Sequence, residues 1–307
     1  MNSRSVKQIL SAVFSLMVLL PAAAPGQPLP TVRAKHLYDI TAGFCHPVDL
    51  AAGADGRIYI LDGTQNRVVI HAPETRQQTA FSIDRPKTVP HHPLGIDVDS
   101  NNRVYITDPG NKSILVFSTA GKRLRSLALT DPNNDPADVV ADTEANRCYV
   151  TDNDNHRVLV YRLSDFKRLD TWGEFGEKPG QFHYPFLAAR DKYATLYVVD
   201  VLNTRVQAIN QEGRTMSVIG RWGVNRGQFY RPKGVAIDSR DRIFITDSYL
   251  GVVQVFQRYR KFIGVLADAR GNLLKLKTPT GIAVDSSNRL YITEMLRNTV
   301  SVYRIMD

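Results

Sequence analysis

One pattern recurs six times in this chain, and no other feature limits its fold so tightly. The segments are RIYILDGTQNRV (57–68), RVYITDPGNKSI (103–114), RCYVTDNDNHRV (147–158), TLYVVDVLNTRV (195–206), RIFITDSYLGVV (242–253) and RLYITEMLRNTV (289–300). Each has an acid at one position: Asp62, Asp108, Asp152, Asp200, Asp247 and Glu294, spaced 46, 44, 48, 47 and 47 residues apart. An aromatic residue stands three positions earlier, and Val or Ile six positions later. A second marker runs in phase: Pro47, Pro93, Pro136, Pro185, Pro232 and Pro279.

Each unit reads as four short strands. In the fifth, GVAID (234–238), RIFITD (242–247) and VVQVFQ (252–257) are separated by polar turns, and a last strand is expected near Phe262 to Leu266. Alternating β-branched and aromatic residues between Gly, Asn and Asp clusters support this. Four strands per unit of about 40–50 residues is the signature of propeller blades. The predicted fold is all-β: one six-bladed β-propeller over residues 27–307, with four-stranded blades starting near the six prolines. The sixth unit runs out after its third strand (299–305), so residues 34–44, AKHLYDITAGF, are predicted to complete blade six and close the ring. An edge strand left unpaired is otherwise a liability.

The polar run TDNDNH (151–156) alternates Asp152, Asp154 and His156 as metal ligands might. As a calcium loop it fails, because Arg157 stands where glycine is required and Leu163 where the bidentate Glu belongs. It occurs once per unit, so it reads as the turn after the second strand. Asp152 there is expected to accept backbone N–H bonds from the loop.

With these residues in view the sequence resembles the NHL-repeat family of six-bladed propellers. The best matches are GQFHYP (180–185) followed by LYVVDVLNTRV, and GQFYRPKGVAID (227–238) followed by RIFITD. In the first unit Asp49 replaces the usual glycine two positions after the proline. The resemblance implies a fold more than a function. Family members are binding platforms for protein or RNA, and a related lyase branch is catalytic. That branch carries His directly after the marker proline in some blades, where this chain has Val48, Leu94, Ala137, Phe186, Lys233 and Thr280. Tyr249 matches a lyase tyrosine position. Asp49 and Asp138 are the only acids at the inner-strand glycine position, and they read as polar groups of the channel wall.

The residues before the six prolines, His46, His92, Asp135, Tyr184, Arg231 and Thr278, are expected near the channel mouth. Two His and one carboxylate (His46, His92, Asp135) form a known metal set; the competing reading is three scattered mouth residues with no ion. No resident cofactor is expected beyond that divalent-metal alternative. On the opposite face Arg57, Arg103, Arg147, Arg242 and Arg289 recur in five units, with Asp99, Asp142, Asp238 and Asp285 four or five residues earlier as partners. Lys122, Arg123 and Arg125 in unit two, and Arg258, Arg260 and Lys261 in unit five, have no acids among them. They are the candidate partner-binding patch, and none is expected in the core.

Residues 1–26 read as a secretory signal peptide: Arg4 and Lys7, an apolar run from Ile9 to Leu20, then small residues. Export to the periplasm or beyond is therefore expected, with no transmembrane segment in the mature chain. The net charge of +9 falls to +7 once Arg4 and Lys7 are removed, which favours acidic partners. Cys45 and Cys148 are the only cysteines, too few for a zinc-binding domain, and are expected to be unpaired. The function expected is a non-catalytic exported scaffold that binds an acidic protein or an anionic envelope polymer, with no nucleic acid. The alternative is a metal-dependent lyase or lactonase at the channel mouth.

Overall fold

The computed structural model describes residues 29–84, 92–258 and 261–306. The segment read as a signal peptide and Arg260 lie outside them. A first strand, β1 (Thr31–Ile40), precedes the repeats. Repeat one supplies β2–β5 (Pro47–Ala52, Ile58–Asp62, Arg67–His71, Gln78–Ser82) and repeat two β6–β9 (Ile96–Val98, Val104–Asp108, Ser113–Phe117, Arg123–Ala128). Repeat three supplies β10–β13 (Pro136–Asp142, Arg147–Asp152, Arg157–Arg162, Arg168–Trp172) and repeat four β14–β17 (Pro185–Arg190, Leu196–Asp200, Arg205–Ile209, Thr215–Ile219). Repeat five supplies β18–β21 (Pro232–Ile237, Arg242–Asp247, Val252–Gln257, Lys261–Ala267), and repeat six β22–β24 (Pro279–Val284, Arg289–Glu294, Thr299–Ile305).

The fold is an all-β propeller. Repeats one to four each form a four-stranded sheet in chain order. Repeats five and six share one eight-stranded sheet, β18-β19-β20-β21-β1-β24-β23-β22. The structure thus has four free-standing blades where six were expected. The reason is β1, which uses both of its edges. It pairs antiparallel with β24 from Ala34↔Ile305 to Ile40↔Val300, and parallel with β21 from Thr31↔Val265 to Arg33↔Ala267. The strand also begins and ends earlier than the 34–44 expected.

Second and third strands are buried on both faces, as in β7 and β8, while the outermost β5 and β9 are largely exposed. A blade's middle strands are covered on each side by the neighbouring blades, which is why RVYITD and SILVF read as nearly continuous apolar runs. Apolar clusters sit between successive repeats; one joins Tyr105 and Ile114 of repeat two to Val139 and Val150 of repeat three. Another joins Leu50, Ile58 and Ile60 of repeat one to Tyr291, Val300 and Val302 of repeat six. The innermost strands β2, β6, β10, β14, β18 and β22 touch in that order, and β22 touches β2. All six line a central channel of about 340 Å³.

Candidate functional site: the two ends of the channel

The recurring acids are structural staples. Backbone N–H groups of Cys45, Asp135, His183, Tyr230 and Lys277 donate to Asp62, Asp152, Asp200, Asp247 and Glu294 at 2.7–3.0 Å. Each donor lies two residues before its marker proline, or one for Asp135, so the acid ties the entry of the first strand to the end of the second. Arg157 and Arg205 bind the same carboxylates at 2.8 Å. Four residues after every acid the backbone turns left-handed, at Asn66, Lys112, His156, Thr204, Gly251 and Asn298. His156 is therefore the tight-turn residue of TDNDNH, and its Nδ1 accepts the Tyr184 N–H at 3.2 Å.

The opposite-face arginines are paired much as expected. Arg103, Arg242 and Arg289 bind Asp99, Asp238 and Asp285 at 2.6–2.7 Å. Tyr105 and Tyr291 donate their hydroxyls to Asp99 and Asp285 at 3.0 Å. Arg57 instead uses Asp55, and Asp142 is bound by Arg190 at 2.7 Å rather than by Arg147. In repeat four Thr195 replaces the arginine, and Arg258 of repeat five reaches Asp191 at 3.2 Å. Its guanidinium also covers the Tyr193 ring at 3.8 Å. Within the basic clusters, Arg258 is thus engaged inside the fold. Arg123 and Arg125 lie on β9; Arg125 donates to the Ser164 carbonyl at 3.0 Å and covers Phe166. Lys122 and Lys261 are exposed.

Three channel carboxylates come from consecutive inner strands. Asp49 accepts the Ile96 N–H at 3.0 Å, Asp97 that of Ala141 at 2.8 Å, and Asp138 that of Ala188 at 2.7 Å. Each clasps the next repeat. Burial pushes Asp49 up to about 7 and Asp97 up to about 6. Asp138 is raised well above the carboxylate range by burial and by the charge of Asp49. Adjacent inner strands pack closely at this level. A methyl placed on Gly95 would sit 2.6 Å from Cα of Asp138, and one on Gly281 2.6 Å from Cα of Asp49.

Beyond these carboxylates lies the mouth face. His92 and Asp135 line one cavity there, of about 930 Å³, together with Lys112 and Asp154. His46 is not in that lining; its N–H donates to Asn298 Oδ1 at 2.8 Å and its ring is 3.7 Å from the Cys45 sulfur. Among the described residues no three His, Cys, Asp or Glu side chains are grouped to hold a metal ion. A second cavity of about 280 Å³ is lined by Leu94, Asn153, Tyr184, Phe186, Val201, Leu202, Arg231 and Lys233. Tyr184 and Arg231 were expected at the mouth; Lys233 and Phe186 were not assigned to it. Lys233 Nζ stands 4.3 Å from the Phe186 ring centre. Burial, then the nearby Arg231 charge, bring its amine down to about 8. A lysine among Val48, Leu94, Ala137, Phe186 and Thr280 at equivalent positions was the available signal.

The same face carries exposed rings. Phe175 and Trp222 occupy matching positions in the loops entering repeats four and five, each bridged to the Phe seven residues later. They are 62% and 71% exposed. Tyr249, which matches the lyase tyrosine position, stacks on Tyr230 with centroids 4.0 Å apart.

A sequence model of the family described as NHL repeat matches residues 91–117 and 133–161. Among solved structures, a gluconolactonase from Xanthomonas campestris superposes with a TM-score of 0.67 at 15% identity, covering 92% of this chain and 99% of that one. A luciferin-regenerating enzyme gives 0.65 at 12% identity, covering 90% and 95%. A catalytically inactive virginiamycin B lyase from Staphylococcus aureus, solved with quinupristin, gives 0.63 at 12% identity, covering 93% and 98%. At such identities the likeness is one of fold, which several chemistries share. Repeat sequence and architecture agree: the chain folds as a β-propeller and carries NHL-repeat sequence over residues 91–117 and 133–161.

Proposed function

We propose that the protein is an exported, non-catalytic recognition platform that binds an acidic partner protein through the mouth face. In this reading residues 1–26 direct export and residues 27–307 form one domain. The merged sheet counts as two blades joined by β1, giving six in a closed ring. The observation that carries the proposal is the outward display of Phe175 and Trp222 at equivalent loop positions, with Tyr230, Tyr249 and Leu202 exposed as well. Large rings held in water cost hydration free energy, and Trp, Tyr and Arg are the residues around which binding energy concentrates. Net positive charge favours an acidic partner. The reading needs no resident cofactor.

A photo-crosslinking residue placed at Trp222, in cells that make the protein, should capture a discrete partner. The same residue at Lys122, within the basic cluster on the far side, should not. Capture at Lys122 alone would overturn the mouth-face reading and favour the basic clusters. The alternative, a metal-dependent lyase or lactonase at the mouth, draws support from propellers of similar fold that carry those activities in their names. Lactone hydrolysis by purified protein supplied with divalent metals, and absent in a mouth variant such as Arg231→Gln, would favour it.

A further inference from the structure

We propose that the cavity formed by Tyr184, Phe186, Leu202, Arg231 and Lys233 is a binding site for a small organic carboxylate carried on an apolar or aromatic body. This goes beyond the platform reading and does not depend on it.

Two cations meet in this cavity. Lys233 sits directly after the marker proline and Arg231 directly before it, so the entry of β18 brings both to the same opening. Among the described residues no carboxylate pairs with either side chain. The partly buried arginines of the repeat turns, Arg67, Arg103, Arg157, Arg205, Arg242 and Arg289, by contrast all have acid partners. The contact of Lys233 with Phe186 explains where the amine points, because a cation is drawn to a ring face. It leaves the positive charge uncompensated. Burial and the neighbouring guanidinium both disfavour the ammonium, and a bound anion would relieve both.

The rest of the wall selects among anions. Leu94, Phe186, Val201 and Leu202 supply apolar lining, and Asn153 and Tyr184 supply polar groups. A cavity of about 280 Å³ is at the small end for ligand sites, which run from roughly 300 Å³ upward. Phosphate or sulfate would leave the apolar wall wet. A carboxylate on a ring or short hydrocarbon places its charge between Arg231 and Lys233 and its body against Phe186 and Leu202. A guanidinium and an ammonium give one fork and one point charge for two oxygens.

The test uses the full-length mature protein and 3-phenylpropionate as probe, followed by titration calorimetry. The acid should bind. The neutral 3-phenylpropionamide and the ring-less propionate should each bind at least about tenfold more weakly, since each lacks one half of the recognition. Lys233→Met, which keeps the stem against Phe186, and Arg231→Gln should each weaken the acid by about tenfold or more with unchanged melting temperature. In the unmodified protein the acid should slow acylation of Lys233, read by peptide mass spectrometry, and leave Lys122 unaffected. Equal binding of acid and amide, undiminished binding by the Lys233→Met protein, or equal labelling of Lys233 with and without acid would overturn the assignment. Inorganic phosphate binding more tightly than the acid would also overturn it.

Discussion

Arg258 places its guanidinium 3.2 Å from the Asp191 carboxylate and so does for repeat four what that repeat's own Thr195 cannot. Asp191 is otherwise like Asp99, Asp238 and Asp285: its Oδ1 accepts the Tyr193 and Thr195 N–H groups at 2.9 Å and closes the turn between two strands. Its side chain is almost fully buried, so loss of the cation leaves a charge poorly solvated.

Arg258→Ala should therefore lower unfolding free energy by about 1–3 kcal/mol. Thr195→Arg in that background should restore most of it, by rebuilding the pairing of the other repeats. Urea denaturation of the three proteins decides the matter, and an unchanged midpoint for the single variant would refute the role. Lys122→Ser and Lys261→Ser, at exposed sites, should change stability by less than about 0.5 kcal/mol.

Much of this architecture was legible because the repeat is in phase. The six acids, the aromatic three residues before each and the marker prolines set the strand boundaries almost to the residue. What escaped depended on contacts between repeats. Nothing local in the alternation of KHLYDI (35–40) tells β1 to pair in parallel with β21 as well as antiparallel with β24; that follows from where the ring brings β21. Arg258 read as a surface cation because its partner lies 67 residues earlier. The mouth rings were overlooked for a different reason. Phe175 and Trp222 look like core residues by type, and only their loop position exposes them.

The double pairing of β1 makes a prediction of its own. Residues 29–44 contribute Val32, Ala34 and Ile40 to the core and hydrogen-bond two strands that otherwise end the sheet. A chain starting at residue 45 exposes the edges of both β21 and β24. Such edges invite pairing with other molecules. Size-exclusion chromatography should show aggregation, and thermal unfolding should lose cooperativity. A monomeric truncated protein with the parent melting temperature would contradict the bridging role.

The thiols should behave unequally. Both cysteines are free; Cys148 is fully buried within β11 and burial pushes its thiol far up, whereas Cys45 is only partly covered. Reactivity follows access and thiolate content. A chromogenic disulfide reagent should titrate one thiol in the folded protein and two in urea. Cys45→Ser should abolish the first and leave the second. Rapid reaction of Cys148 without denaturant would mean that the seam between repeats two and three opens readily.

The channel carboxylates predict how stability responds to pH. Asp49 is raised to about 7, chiefly by burial, although its oxygen accepts the Ile96 N–H. A carboxyl whose folded value lies above its unfolded one favours the protonated folded state. Its stabilising effect is complete below the unfolded value near 4 and is lost as pH rises through about 7. Asp97 and Asp138 act in the same direction. Asp49→Asn stays neutral at every pH and can still accept from Ile96. The variant should gain on the parent as pH rises, reaching about 1–3 kcal/mol at pH 8, because Asp138 shares the repulsion that is relieved. At pH 5 the gain should be distinctly smaller than at pH 8. Urea midpoints at the two pH values give the comparison. A difference between variant and parent that is the same at pH 5 and pH 8 would mean that Asp49 is already ionised in the folded channel at pH 5, its charge compensated there.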